Sequence, residues 1–334
     1  MRFQERIKEY IFSISTEEEF ESCALEVFKF QAEHNKVYSD YLKYLKVDPL
    51  SVQSISEIPF LPIRFFKSQE VVSTVEPTQV IFRSSGTTGS ITSKHLVSDP
   101  VFYQKASKYI FESFYGDLKD FEILALLPSY LERGNSSLVY MVEHFLPYSG
   151  EYSGFYLDNV KELQQRLEYL LSNSNKKILL IGVTFALLDL AEEMKISLDD
   201  RVIVMETGGM KGRRKEMLRS EVHEVLQNAW DLRNVHSEYG MTELLSQAYS
   251  KGNEVFDLPP WMRIRFREIN DPFSFWDGNT KMRSGGINVI DLANVDSCSF
   301  IETQDIGQPV GIKSFKVLGR FDNSDIRGCN LLVN

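Results

Sequence analysis

Residues 178–188 read ILLIGVTFALL, a nearly continuous apolar run with Gly182 inside it. Because a membrane helix needs about 20 apolar residues, this run is too short to cross a bilayer. Apolar side chains that end at a glycine instead predict a buried strand followed by a turn. Further short apolar runs that end in a turn or loop are Val80–Phe82, Ile123–Leu127 and Val202–Met205.

Amphipathic helical patterns separate these runs, at Val160–Leu171 and Lys215–Asn228. The repeated order of apolar run, turn and amphipathic helix predicts βαβ units around a buried parallel sheet. Met262–Lys316 has shorter alternating runs, which predict a mainly antiparallel β subdomain. Near the start, Thr16 and Glu19 form a capping-box pattern before apolar residues at helical spacing. We predict an α/β fold with a helical region at 1–60, an α/β core at 61–260, a β subdomain at 261–318 and a short tail at 319–334.

The composition excludes several classes of protein. Among 334 residues, 37 Lys and Arg stand against 47 Asp and Glu, a net charge of −10. An acidic chain without a basic cluster does not have the electrostatic surface of a nucleic-acid groove. Its three widely spaced cysteines exclude a disulfide framework and a cysteine-cluster zinc site, and they suit a reducing compartment. The charged N-terminus is unlike a signal peptide, so we predict a cytoplasmic protein with no membrane span and no nucleic-acid partner.

The first candidate ligand loop is Ser84-Ser85-Gly86-Thr87-Thr88-Gly89, directly after an apolar run. Ligands in open α/β sheets bind beyond the carboxyl ends of the strands. The glycines expose backbone N–H groups, and these together with the hydroxyl groups are suited to phosphate oxygens. No Gly-Lys-Ser/Thr follows, which disfavours a P-loop nucleoside triphosphatase. A plain Ser/Thr/Gly linker is the alternative interpretation.

The second candidate loop is Ser237-Glu238-Tyr239-Gly240-Met241-Thr242-Glu243, after the run Leu232–Val235. Tyr239 offers a flat surface for a base and Thr242 a hydroxyl group. Glu243 offers a carboxylate, the group that usually holds Mg²⁺ together with substrate phosphates. The alternative is a helix N-terminus that Thr242 or Glu243 caps.

Two further segments lie toward the C-terminus. Thr303-Gln304-Asp305-Ile306-Gly307 is interpreted as a tight turn whose carboxylate accepts hydrogen bonds from ribose hydroxyls, although Asp is also common in turns without a ligand. The segment from Gly319 to Cys329 contains Arg320 and Arg327. Each segment alone is a weak signal, and the order and spacing of all four carry the information.

That order resembles the adenylate-forming (acyl-AMP synthetase) superfamily. Residues 84–89 are similar to its phosphate loop, 238–243 to its adenine- and magnesium-binding motif, 303–307 to its ribose-binding turn and 319–328 to its hinge motif. Within it, the chain most resembles the acyl-protein synthetases (long-chain-fatty-acid–protein ligases, LuxE-type) of bacterial luminescence systems. Residues 30–43, 58–68, 126–141 and 327–329 carry this likeness, and phenylacetate-CoA ligases are similar across the core.

The resemblance implies that ATP, with Mg²⁺, activates a carboxylic acid as acyl-AMP and releases pyrophosphate. It implies phosphate contacts from residues 84–89, with Lys94 a candidate for the lysine that usually follows that loop. It also implies that Gly208, Gly209, Tyr239 and Gly240 flank the adenine, that Glu243 holds Mg²⁺, and that Asp305 and Arg320 hold the ribose. Thr242 would reach the α-phosphate. His236 would act as a base or line the acyl pocket, unless it is a structural residue.

Most superfamily members carry a further domain after the hinge, which supplies a catalytic lysine, whereas residues 320–334 alone follow Gly319 here. The resemblance therefore implies that Cys329 accepts the acyl group, from a fatty acid, and passes it to a protein partner such as a reductase or a carrier protein. Arg327 would lower the pKa of that thiol. Cys23 and Cys298 are interpreted as structural. The alternatives are an acyl- or aryl-CoA ligase acting directly on CoA, with Cys329 a buried apolar residue, and a non-catalytic nucleotide-binding or interaction module.

Overall fold

A computed structural model describes residues 2–84, 91–127, 135–156, 159–208, 214, 217–276 and 284–321. Its helices are α1 (Phe3–Tyr10), α2 (Glu17–His34), α3 (Lys36–Tyr44), α4 (Phe65–Ser68), α5 (Pro100–Tyr115), α6 (Ser137–Phe145), α7 (Val160–Asn173), α8 (Thr184–Glu193) and α9 (Arg219–Trp230). Its strands are β1 (Leu61–Pro62), β2 (Val80–Arg83), β3 (Lys94–Val97), β4 (Phe121–Leu126), β5 (Gly154–Phe155), β6 (Lys177–Val183), β7 (Val202–Thr207), β8 (His236–Tyr239), β9 (Ala248–Ser250), β10 (Phe256–Asp257), β11 (Met262–Arg267), β12 (Gly285–Asp291), β13 (Phe300–Gly311) and β14 (Ser314–Arg320).

Within these residues, 12 strands form one mixed sheet in the order β11-β12-β13-β14-β10-β9-β8-β7-β6-β4-β5, with β1 paired to β13. The half from β8 to β5 is parallel. Side chains along β4 and most of β6 are buried, because helices cover a parallel sheet on both faces. The parallel sheet predicted from the apolar runs at 123–127, 178–181 and 202–205 is therefore confirmed.

The other half of the sheet, β11 to β14, is antiparallel, as predicted for the segment from Met262 to Lys316. Strands β9 and β10 join it to β8 by antiparallel pairing, so hydrogen bonds run without a break between the two halves. The antiparallel strands thus continue the main sheet. The domain boundaries at residues 60, 260 and 318 stay a prediction.

Strand β2 differs from the prediction that its run belongs to the βαβ series. It pairs with β3 in a separate two-stranded antiparallel sheet, with Val80 opposite Val97 and Arg83 opposite Lys94. The pairing continues past the strand ends, since the Ser84 N–H donates to the Ser93 carbonyl at 3.1 Å. Strands β2 and β3 therefore form a hairpin, and neither strand belongs to the parallel sheet.

Helix α2 begins as the sequence predicts. The Thr16 hydroxyl accepts from the Glu19 N–H at 3.2 Å, and the Glu19 carboxylate accepts from the Thr16 N–H at 3.1 Å. The apolar residues that follow at helical spacing, Phe20, Ala24, Val27 and Phe28, are all buried. Among the described residues, no helix combines the length and apolar character that crossing a bilayer demands.

Replacing Thr16 with alanine removes the hydroxyl that caps α2. Because a lost N-cap typically costs about 1 kcal/mol, we expect the free energy of unfolding to fall by that amount in a urea titration. Thr16→Ser keeps the accepting oxygen and should match the unmodified protein. An equal loss in both variants would contradict the capping role.

Candidate active site

Tyr239, Asp305 and Arg320 meet where the parallel and antiparallel halves of the sheet join. Asp305 and Arg320 are direct partners in the β13–β14 pairing. The Tyr239 hydroxyl donates to Asp305 Oδ2 at 2.9 Å, across 66 residues of sequence. Arg320 Nε lies 3.8 Å from Asp305 Oδ1. The fold thus brings together three residues that the sequence predicted for the adenine and the ribose.

Burial sets the protonation of this cluster. It raises the pKa of Asp305, against the opposing effects of the Arg320 charge and the Tyr239 hydrogen bond. It also holds the pKa of Tyr239 well above its usual value, so the phenol stays neutral and remains a donor. A largely buried carboxylate with a spare oxygen lone pair beside an exposed arginine can accept hydrogen bonds from a polar ligand.

The interpretation of Thr303–Gly307 as a tight turn is wrong. These residues lie inside β13, which pairs with β12 on one side and β14 on the other. A register irregularity falls between Ile306 and Gly307, and a Cβ at Gly307 would overlap the Lys316 carbonyl on β14. Glycine is therefore required at position 307 by the close approach of the two strands. The strand pairing keeps the backbone of these residues extended where a turn was expected.

The segment that follows β8 holds Thr242 and Glu243 in a turn, and no helix begins there. The alternative interpretation of these residues as helix caps is therefore wrong. The Thr242 carbonyl oxygen lies 2.9 Å from His95 Nδ1, and the Glu243 carbonyl accepts from Asn294 Nδ2 at 2.8 Å. The Glu243 residue is 4% exposed, and burial raises the pKa of its carboxyl, which accepts a hydrogen bond from the Ser93 side chain.

The surroundings of Glu243 fit a magnesium ion that is held mainly by the phosphates of a bound substrate. Across the described part of the chain, Glu243 forms no salt bridge, and no group of three or more His, Cys, Asp or Glu side chains is arranged to hold a metal. Mg²⁺ is usually bound through one or two carboxylates together with substrate phosphates. The single buried carboxylate of Glu243 matches that donor set.

Gly208 follows β7 directly and has a positive φ of 76°, and its carbonyl is 2.9 Å from Thr184 Oγ1. Beneath it, the buried Glu206 accepts from Arg219 Nε at 2.8 Å. Arg219 also reaches the Val317 carbonyl on β14, at 3.3 Å. Arg219 thereby ties α9 both to β7 and to β14, the strand that carries Arg320.

His236 occupies the start of β8, whereas Tyr239 ends that strand. The Nδ1 atom of His236 lies 3.1 Å from the hydroxyl of Tyr115, at the end of α5. Burial, with the nearby charges of Lys251 and His223, lowers the pKa of His236 to about 4. The catalytic role stays a prediction, and this placement brings His236 to Tyr115 instead of to the Asp305 cluster.

Several predicted site residues lie outside the described residues. These are Ser85, Gly86, Thr87, Thr88, Gly89, Gly209 and Cys329, together with Arg327. The described ends of the first loop are Ser84, whose hydroxyl accepts from the Ser93 N–H at 2.9 Å, and Lys94, an exposed residue at the start of β3. The role of Lys94 stays a prediction.

Sequence reasoning missed three residues that hold the segment after β8. His95 and Asn294 bind the carbonyls of Thr242 and Glu243, as described above. The buried Asp291 accepts from the Leu245 and Ser246 N–H groups, both at 3.0 Å. Their partners are distant in sequence, so local patterns hold no signal for these contacts.

The family model described as Acyl-protein synthetase, LuxE, matches residues 10–334. The chain belongs to this family. This acyl-protein synthetase is therefore a ligase of the adenylate-forming kind, which activates a carboxylic acid as acyl-AMP at the expense of ATP. Comparison with curated proteins finds no match.

Solved structures of CoA ligases and synthetases are similar to this chain. An open conformation of 2-hydroxyisobutyryl-CoA ligase in complex with 2-HIB-AMP and CoA is 14% identical, over 92% of this chain and 70% of that one, with a TM-score of 0.61. O-succinylbenzoate coenzyme A synthetase from Bacillus subtilis, in complex with AMP, is 14% identical over 75% and 63% of the chains, with a TM-score of 0.48. A long-chain-fatty-acid-CoA ligase from Archaeoglobus fulgidus is 15% identical over 72% and 51%, with a TM-score of 0.46. The first likeness shows the adenylate-forming fold.

Asp305→Asn removes a charge that burial disfavours, and the amide oxygen still accepts from the Tyr239 hydroxyl. Because the pKa of Asp305 is raised, the folded protein binds more protons than the unfolded chain between the ordinary and the raised value. The stability from that proton is present at acidic pH and lost as the pH rises through the raised pKa. We expect the variant to have the higher free energy of unfolding at pH 7, with the difference shrinking toward pH 4 in denaturant titrations.

Asp271→Asn is the matched control. Hydrogen bonds from the Ser274 hydroxyl and the Phe273 N–H lower the pKa of Asp271, so its charged form favours the folded protein above the ordinary pKa. This variant should lose stability at pH 7. A change of the same sign in both variants would overturn the assignment for Asp305.

Proposed function

We propose that this acyl-protein synthetase converts a fatty acid and ATP to fatty acyl-AMP and pyrophosphate, then carries the acyl group on Cys329 as a thioester for a protein partner. The observation that carries the first half is the Tyr239–Asp305–Arg320 cluster beside the buried carboxylate of Glu243. It unites polar groups for a ribose, an aromatic ring for a base and a carboxylate for a metal–phosphate complex.

In this proposal the Asp305 carboxylate accepts hydrogen bonds from the ribose hydroxyls, and the charge of Arg320 opposes the rise that burial causes in the pKa of that carboxyl. Tyr239 directs its hydroxyl to Asp305 and its ring toward the adenine. The backbone that begins at Gly208 continues the adenine site, and Ser84 begins the loop that binds the phosphates. Each group acts by positioning, because phosphoryl chemistry asks for little covalent participation by side chains.

Activation begins when a carboxylate oxygen of the acid attacks the α-phosphorus. An oxygen–phosphorus bond forms, the bond from the α-phosphorus to the bridging oxygen breaks, and pyrophosphate leaves with its electron pair. Magnesium bound at Glu243 would supply charge neutralisation for the departing group. Thr242, next to Glu243, would donate to an α-phosphate oxygen.

The burial of the other two cysteines supports Cys329 as the acyl carrier. Cys23 and Cys298 are buried, and burial raises the pKa of each thiol to about 12. Since the thiolate is the nucleophile, both are poor acceptors near neutral pH. Attack of the Cys329 thiolate on the acyl carbon would form the thioester and release AMP. A protein thiol, such as that of a reductase or a carrier protein, would then receive the acyl group in a cytoplasmic reaction.

Intact-protein mass after incubation with ATP, Mg²⁺ and a panel of fatty and aryl acids tests the acyl-carrier step. We expect one adduct, of the mass of a fatty acyl group, that neutral hydroxylamine removes because it is a thioester. Cys329→Ser should lack the hydroxylamine-sensitive adduct. Cys298→Ser is the matched control and should retain it, because that thiol is buried.

Pyrophosphate release without an adduct on any variant would overturn the role of Cys329 and favour direct transfer to CoA or another external thiol. If no acid in the panel caused pyrophosphate release, the proposal of fatty-acid activation would fail. A non-catalytic nucleotide-binding module would then be the better interpretation of the protein.

Glu243→Gln tests the metal site. The amide keeps the shape of the side chain but removes the charge that would face Mg²⁺, so we expect the rate of pyrophosphate release to fall by about 100-fold or more. Glu302→Gln is the control, because burial also raises the pKa of that β13 carboxyl, which lies 3.8 Å from Arg267. Comparable losses in both variants would show that any lost carboxylate impairs the enzyme.

A further inference from the structure

His95 is a buried histidine that none of the sequence motifs includes. It lies on β3, opposite Phe82 of β2 in the hairpin pairing, and is 1% exposed. Its Nδ1 is 2.9 Å from the carbonyl oxygen of Thr242, a residue 147 positions away. The contact joins the hairpin β2–β3 to the segment that carries Glu243.

The chemistry of the contact fixes the tautomer. A carbonyl oxygen only accepts hydrogen bonds, so Nδ1 must carry the hydrogen. Burial lowers the pKa of His95 to about 4, so the ring is neutral near pH 7 and Nε2 has no hydrogen. The ring of Phe66 packs edge-on against the imidazole, with centroids 5.9 Å apart.

A second contact also joins the end of the hairpin β2–β3 to the segment that carries Glu243. The Ser93 side chain, two residues before His95, donates to the Glu243 carboxylate, and the backbone of Ser93 pairs with Ser84. From the opposite side, Asn294 donates to the Glu243 carbonyl. The segment is thus held between the hairpin and the residues after β12.

This segment depends on such side chains because it lacks the backbone hydrogen bonds of a helix or a strand. Thr242 and Glu243 belong to neither a helix nor a strand, so regular secondary structure does not pair their carbonyls. Side chains from elements distant in sequence donate to these carbonyls instead. Loss of the His95 donor would leave a partly buried carbonyl unpaired beside the predicted magnesium ligand.

We propose that His95 is a positioning residue that fixes the Thr242–Glu243 segment against the hairpin β2–β3 and so sets the geometry in which magnesium–ATP binds. The inference rests on the proposed function, because it takes Glu243 as the carboxylate that faces Mg²⁺. It assigns His95 no proton transfer and no contact with the acid.

Three substitutions separate the donor from the bulk of the side chain. His95→Leu removes the donor, His95→Asn restores an N–H near the position of Nδ1, and His95→Gln places one near the position of Nε2. Phe66→Leu is the matched control, since it removes buried ring contacts to His95 and leaves the hydrogen bond in place. Thermal unfolding of each variant reports the loss of stability.

Two measurements are made on each variant. The first is the dissociation constant of magnesium–ATP by calorimetry, without any acid. The second is the Mg²⁺ concentration that gives half-maximal pyrophosphate release. Residues that orient a metal ligand typically contribute 10- to 100-fold, so we expect both values to rise by about that factor in His95→Leu and His95→Gln. In His95→Asn and Phe66→Leu they should stay near those of the unmodified protein.

Equal weakening in His95→Leu and Phe66→Leu would overturn the inference, because the effect would then follow lost packing. So would unchanged magnesium dependence in His95→Leu. If the unmodified protein itself did not bind magnesium–ATP, the proposed function and this inference would fail together. Binding by the unmodified protein without pyrophosphate release would count against the proposed acid alone.

Discussion

The hydrogen bond from the Tyr239 hydroxyl to the Asp305 carboxylate connects the parallel and antiparallel halves of the sheet at the candidate site. It forms only because β9 and β10 continue the sheet from β8 to β14, which pairs in turn with β13. Arg320 then lies opposite Asp305 through strand register alone. The nucleotide site proposed here therefore depends on the continuity of the whole sheet.

Three buried carboxyl groups near this junction have different electrostatic surroundings. Burial opposes ionisation of Glu206, yet the hydrogen bond from His223 and the charge of Arg219 hold its pKa below the usual value. For Glu243 and Asp305 burial prevails, and the pKa of each is raised. Carboxylates left short of cations near this junction are candidates for ligand binding, whereas a fully paired one such as Glu206 is structural.

The segment after β8 is held in place by side chains from other elements. Its backbone groups are paired by His95, Asn294 and Asp291, which come from two different parts of the sheet system. Such an arrangement holds a loop in one geometry without forming a helix or a strand. It also makes the position of Glu243 sensitive to residues that never touch a ligand.

The sequence by itself determined the features that depend on near neighbours. The capping box of α2, the buried parallel strands and the alternating antiparallel strands follow from side-chain type and spacing over a few residues. The motifs also pointed to Tyr239, Asp305 and Arg320 as candidate site residues through their likeness to a family. A match over residues 10–334 confirms that family.

The tertiary structure alone decided which strands and side chains are partners. It placed β2 in a hairpin, extended Asp305 within β13 where a turn was expected, and set His236 against Tyr115. It also brought His95 to Thr242 across 147 residues. Each of these outcomes rests on contacts between segments far apart in the chain, and such contacts leave no local pattern, because their energy comes from packing and pairing that form only when the sheet is assembled.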